Sequence, residues 1–320
     1  MKRYFCTLFD SNYLIKGLTM IQSLSKNCKE FEIYVLCLDD KTKRFLEKIN
    51  ISQVKCIELY EVEDESLLKA KKRRTKAEYC WTLASYFTWY VMNKFYFINL
   101  ITYLDADLLF YSSLEPIFKE TKNSSISIIE HRFAPPFKEL EINGRFCVEW
   151  NSFRRDDEGL RCLNRWREQC LDWCFYKLED GKMGDQKYLD EWPYLYPSCQ
   201  IIENLGAGIA PWNYSQYQIN EKSDFIRINN EKLIFYHFHQ FKILTENTFF
   251  RLGDIYKSNS KEPNNIYTKY EKEIKKSIKI IKGIDPNFND GIGSDNYNFF
   301  IELIKKFLPR KIKNTIRKFF

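Results

Sequence analysis

Apolar and polar positions change period in a regular order along the first third of the chain. Residues 3–9, RYFCTLF, read as a short buried strand, residues 13–27 as an amphipathic helix, and residues 32–38, EIYVLCL, as a second strand ending at Asp39 and Asp40. The same pattern predicts a helix over 41–50, a strand over 54–60 and a long helix over 76–92. Strand and helix in alternation imply an α/β fold of Rossmann-like type, a mixed but mainly parallel sheet flanked by helices on both faces. Ligands of such sheets gather at the carboxyl ends of the strands.

Beyond residue 110 the pattern is less even. Residues 125–131 and 232–241 read as strands and residues 159–178 as a long helix; alternation in the second strand puts His237 and His239 on one face. No internal repeat is present. The composition shifts at residues 257–265, KSNSKEPNN, which read as a linker. The chain accordingly divides into a main domain over 1–250 and a linker with a helical appendage over 251–320.

Composition narrows the class. At 320 residues, 44% hydrophobic and 17% aromatic, the chain can bury a sizeable core, which excludes disorder. The ten cysteines contain no C-x-x-C pair and read as reduced, buried thiols; Cys170 and Cys174 could form half of a zinc site but fit better as one stripe of a helix. The opening MKRYFCTLFD lacks an apolar signal core, and no stretch reaches the length of a membrane span, so a cytoplasmic protein is expected.

The net charge of +7 is local. Residues 301–320 carry seven basic residues against Glu302, a net of +6, which leaves the remaining chain almost neutral and argues against a nucleic-acid-binding body. In this tail Phe300, Ile304, Phe307, Leu308, Ile312, Ile316 and Phe319 alternate with cations, and Pro309 interrupts the run. Such a segment suits the anionic inner face of the cytoplasmic membrane, where each cation contributes on the order of 1 kcal/mol. A helix docked on the domain, or a disordered basic end, is the competing reading.

Candidate chemistry begins at residues 101–111, ITYLDADLLFY, where Asp105 and Asp107 are the only charges. Two acids in an apolar run repel each other and resist leaving water, so a compensating group is expected. If the strand stays regular, both face one point, and two hard oxygen donors there suit Mn²⁺ or Mg²⁺ bridging the phosphates of a nucleotide. The bland alternative is one acid capping a turn with the other solvated. An imidazole from His237 or His239 could complete a metal shell, and Lys242 close behind could hold a phosphate oxygen. Arg74 and Lys76, in KKRRTKAEYCWT at the start of the long helix, could reach a diphosphate, whereas residues 71–73 read equally well as a solvated basic face.

In order along the chain, TYLDADLLFY, GDQKYLDEW (184–192), NLGAGIAPWN (204–213) and YHFHQFK (236–242) resemble the glycosyltransferase A-type (GT-A) family of glycogenin and the bacterial lipopolysaccharide galactosyltransferases, glycosyltransferase family 8. The resemblance covers roughly residues 1–245 and leaves the tail outside. It implies that Asp105 and Asp107 bind the metal, with Asp105 also near the donor ribose, and that His237 is the third ligand. A second histidine at 239, and the lack of the glycine, proline and tryptophan that often follow, depart from the family pattern and leave His239 as the alternative. Asp10 and Asn12 match positions that touch uracil and ribose, with Thr7 a further candidate. Asp185 and Gln186 match the pair near the donor sugar, although Asp185 also reads as a helix cap.

The resemblance implies a metal-dependent transferase that moves a sugar from a UDP-sugar to an oligosaccharide or lipid-linked surface glycan, leaning towards retention. Glu130 and Asp156 are candidate acceptor-side bases. A non-catalytic, membrane-associated glycan-binding or scaffolding protein of the same fold is the alternative from another class. A nucleotidyltransferase needs a Gly-rich basic loop that TLFDSNYLIKG does not supply, and a dehalogenase-type phosphatase needs Thr or Val where this chain has Leu109.

Overall fold

The computed structural model describes residues 2–222, 225–256 and 262–293. The basic amphipathic tail and part of the expected linker lie outside the described residues. The first half alternates as its pattern demands: β1 (Arg3–Phe9), α1 (Leu14–Asn27), β2 (Phe31–Cys37), α2 (Asp40–Ile49), β3 (Val54–Glu58), α3 (Lys76–Lys94), β4 (Leu100–Leu104) and β5 (Leu108–Phe110). The second half contributes β6 (Ile126–Glu130), β7 (Phe146–Arg154), α4 (Asp157–Asp172), β8 (Cys199–Ile201), β9 (Phe235–His237) and α5 (Asn264–Ile284).

Seven strands form the main sheet in the order β3-β2-β1-β4-β7-β6-β8. It is parallel from β3 through β4, and β7 runs antiparallel to both β4 and β6. Side chains of β1 point alternately into two cores, Phe5 and Phe9 to one side and Cys6 and Leu8 to the other, so both faces must be covered. Helices α1, α2 and α5 cover the first face, and α3 and α4 the second. Local chemistry starts these helices. Asp39 accepts from Thr42 N–H at 2.7 Å at the start of α2, and Thr75 and Glu78 form a reciprocal capping box at the start of α3.

Helix α5 is amphipathic, and its Ile266, Tyr267, Tyr270, Ile274, Ile278 and Ile281 enter the same core as α1. The chain after it returns to the sheet. Phe288 packs edge-on against Phe45 at 5.0 Å, Asp290 pairs with Lys41 at 2.7 Å, and Gly291, at φ 74°, lies where a side-chain carbon would stand 2.1 Å from the Asn12 carbonyl oxygen. No described helix is long and apolar enough to cross a membrane.

Three elements differ from the pattern-based expectation. The run 101–111 is not one strand: β4 stops at Leu104, residues 105–107 turn, and β5 leaves the main sheet to pair antiparallel with β9, Leu108 opposite His237. The run 232–241 is likewise broken, and β9 ends at His237. The helix expected over 159–178 ends at Asp172, so Cys170 and Cys174 do not share a helical stripe; both are buried, and no metal-ligating group among the described residues includes them.

Candidate active site

The acid pair sits where the chain passes from one sheet to the other. Asp105 N–H donates to the Glu149 carbonyl on β7 at 3.3 Å, and the Asp107 carbonyl accepts from Phe238 N–H at 2.9 Å. Convergence of the two carboxylates is therefore the work of a turn pinned at both ends. Pairing of β5 with β9 then brings His237 alongside, its Nε2 3.0 Å from Asp107 Oδ1 and 3.8 Å from Asp105 Oδ2. The other ring nitrogen, Nδ1, lies 2.7 Å from Glu149 Oε2.

Burial and charge make these acids unequal. Burial pushes the Asp105 carboxyl up to about 7, against the pull of the His237 charge and with the repulsion of Asp107 and Glu149. Asp107 is also buried, yet the His237 charge and hydrogen bond outweigh desolvation and hold it below the usual carboxylate range. His237 is raised well above the ordinary histidine range because Asp107, together with its Cys147 and Glu149 neighbours, overcomes desolvation. Asp185 is pushed up to about 8 by burial first and by the Asp105 charge second. Asp105, Asp107 and Glu149 thus crowd one imidazolium, and Asp185 is close enough to feel the Asp105 charge.

This donor set fits a divalent cation. Asp105, Asp107 and His237 offer ligand atoms that all lie within 4.8 Å of one another, two hard oxygens and an imidazole nitrogen of the kind Mn²⁺ accepts. His239 belongs to no such group among the described residues. Its ring packs edge-on to Trp212 at 5.6 Å, and burial, with the His237 charge, lowers its pKa to about 4.

A cleft of about 910 Å³ opens over the cluster, lined by Asp10, Asn12, Lys76, Asp105, Asp107, Asp185, Gln186, His237 and His239, among others. Its far end is shaped by the loop after β1. Asp10 receives the Lys76 ammonium and caps Tyr13 N–H at 3.2 Å, while Ser11 N–H donates to Asp39 at 2.9 Å. Trp81 and Tyr176, ring centroids 5.9 Å apart, form an aromatic wall beside Gly184. The helix-cap reading of Asp185 does not hold: the short 3₁₀ turn Lys187–Glu191 has Gln186 at its N-cap position, and the Asp185 carboxylate is left to the cleft.

Five candidates do not line the cleft. Thr7 is fully buried on β1, its hydroxyl without a partner. Arg74 turns away, donating to Thr82 Oγ1 at 2.5 Å and to the Leu171 carbonyl at 2.8 Å, so it ties α3 to the end of α4. Lys242 lies on the short strand Lys242–Ile243, facing Phe250 across the ladder. Glu130 pairs with Arg145, and Asp156 caps α4 through Gly159 N–H at 2.9 Å. Because Arg74 joins two helices, Arg74→Met is expected to destabilise the fold by about 1–3 kcal/mol in denaturant titration. Unchanged stability would show that these hydrogen bonds contribute nothing net.

Pattern reading missed Glu149, which is fully buried, and Tyr103 and Trp212, which line the cleft. Glu149 had a usable signal: it is the one acid inside the buried strand FCVEWNSFR, between Val148 and Trp150.

A Rossmann-like sheet whose central strand breaks at an acid pair, under a cleft at its carboxyl edge, defines the GT-A class of glycosyltransferase. The chain belongs to glycosyltransferase family 8. The model of that family, "Glycosyl transferase family 8", matches residues 6–149, from β1 through the acid pair to Glu149. Two uncharacterized proteins of Bacillus subtilis (strain 168) are similar over nearly the whole chain. YfnD is 32% identical over 296 residues, 90% of this chain and 94% of its own, and YfnF is 31% identical over 304 residues, 92% and 99%. The solved glycosyltransferase GlyE of Streptococcus pneumoniae TIGR4 shares the fold at TM-score 0.52 and 13% identity; the match covers 88% of this chain and 63% of GlyE.

Proposed function

We propose that this glycosyltransferase moves a sugar from a UDP-sugar to an oligosaccharide or lipid-linked acceptor of a bacterial surface glycan, with Mn²⁺ or Mg²⁺ held by Asp105, Asp107 and His237. The observation that carries this reading is the convergence of those three side chains in a cleft that Asp10 and Asp185 also line. A bound divalent ion supplies the charge that a departing diphosphate needs. Asp10 and Asn12 hold the base and ribose, and Lys76, already paired with Asp10 at the rim, contributes a mobile cation towards the diphosphate. Asp185 and Gln186 orient the donor sugar. Gln186 is itself aimed by its Nε2–H, which donates to the Asn143 carbonyl at 3.1 Å.

Among the described residues the acids lining the cleft are Asp10, Asp105, Asp107 and Asp185. Asp10 is paired with Lys76, and Glu130 and Asp156 are engaged elsewhere. This supports retention, since an inverting enzyme needs a dedicated carboxylate base at the acceptor hydroxyl. The basic amphipathic sequence of residues 301–320 supports an approach to an anionic membrane surface, where a lipid-linked acceptor is found.

A thermal-shift screen of nucleotide sugars tests the reading. UDP-sugars are expected to raise Tm with Mn²⁺ and not with chelator, and a shift confined to another nucleotide class would overturn the donor assignment. Gly291→Ala offers a second check. The added methyl meets the Asn12 carbonyl at a strained backbone position, so the base-binding loop must shift, and UDP affinity is expected to fall roughly tenfold in calorimetry. Unchanged affinity would remove the Asn12 loop from nucleotide binding.

A further inference from the structure

We propose that Glu149 is a positioning residue that orients His237 towards the acid pair, an inference that rests on the metal-binding reading above. Glu149 is completely buried on β7 and does not line the cleft, so it touches no ligand. It grips the site twice. Its carbonyl accepts Asp105 N–H at 3.3 Å, and its carboxylate lies 2.7 Å from His237 Nδ1. An ionised carboxylate can only accept, so the Nδ1 proton is fixed on the Glu149 side; when a metal displaces the other ring proton, the lone pair is left on Nε2, which lies 3.0 Å from Asp107.

A buried carboxylate such as that of Glu149 is costly. Its second oxygen, Oε1, is buried without a hydrogen-bond partner. Space is kept for it by Gly208, at φ 68°, where a side-chain carbon would stand 2.8 Å from Oε1. Its side-chain hydrogen bond goes to His237. Cys147, Glu149 and His237 do form a second group with metal-ligand spacing, but a metal there would take Nδ1 and displace the Glu149 hydrogen bond.

Mn²⁺ affinity, read from the electron paramagnetic resonance of free Mn²⁺ in the full chain, tests this without reference to turnover. Glu149→Gln is expected to weaken Mn²⁺ binding about tenfold or more. In a His237→Asn background the same change is expected to alter affinity by less than about twofold, because Glu149 acts through the imidazole. Glu149→Leu keeps the buried strand apolar and serves if the glutamine variant does not fold. Wild-type affinity in a folded Glu149 variant overturns the proposal, as does an equal loss in both backgrounds, which marks a merely structural role. Zinc retained by the wild type and released by Cys147→Ser also overturns it. A wild type that binds no Mn²⁺ overturns the metal reading itself, and the proposal with it.

Discussion

Asp107→Asn is expected to lower kcat/KM for metal-dependent turnover of a nucleotide sugar by more than about a hundredfold while leaving the protein folded, since loss of a metal-orienting residue alone costs 10–100-fold. Asparagine keeps the shape of the side chain and an oxygen for His237, but it removes the charge that the neighbouring imidazolium holds ionised. The backbone bond from Phe238 N–H to the residue 107 carbonyl persists, so β5 stays paired to β9. Steady-state kinetics with thermal unfolding of the same sample separates the two effects. Full activity in the folded variant would remove the acid pair from the mechanism.

The largest effect on stability is expected from Gly208→Ala, about 2–4 kcal/mol by urea titration, combining the left-handed backbone penalty with overpacking. At φ 68° the new methyl would meet Ile129 Cδ1 at 2.5 Å and Glu149 Oε1 at 2.8 Å. Neither neighbour can yield easily: Ile129 is buried in the main sheet, and Glu149 is held by His237. Weaker Mn²⁺ binding is expected alongside, because the clash displaces the carboxylate that aims the ring. A variant as stable as the wild type would mean that residues 204–213 can move at no cost.

The alternation of β1 to α3 was legible because both faces of the sheet are covered, which leaves short apolar runs between amphipathic helices. The acid pair was legible as ionisable groups out of place, whereas the choice of His237 over His239 came from the resemblance. What the pattern could not carry was the break at Asp105. Leu108, Leu109 and Phe110 are as buried beside β9 as Ile101 and Leu104 are in the main sheet, so hydrophobicity does not record the change of sheet. The early end of α4 depends on distant partners: Arg74 takes the Leu171 carbonyl and the Tyr188 hydroxyl the Trp173 carbonyl, satisfying groups that another turn of helix would have used. Arg74 turns away from the cleft for the same reason. Arg74 and Lys76 are two residues apart, and tertiary contacts alone send one to α4 and the other to Asp10.

The central claim is that Asp105, Asp107 and His237 hold a divalent cation on which nucleotide-sugar turnover depends. It is tested most directly by following release of UDP from UDP-sugars by the purified full chain, with Mn²⁺ and with chelator, in the absence of acceptor. Slow hydrolysis that appears with Mn²⁺, is lost with chelator and is absent from Asp107→Asn is the predicted result. Hydrolysis that proceeds equally with chelator, or that survives in Asp107→Asn, would contradict it.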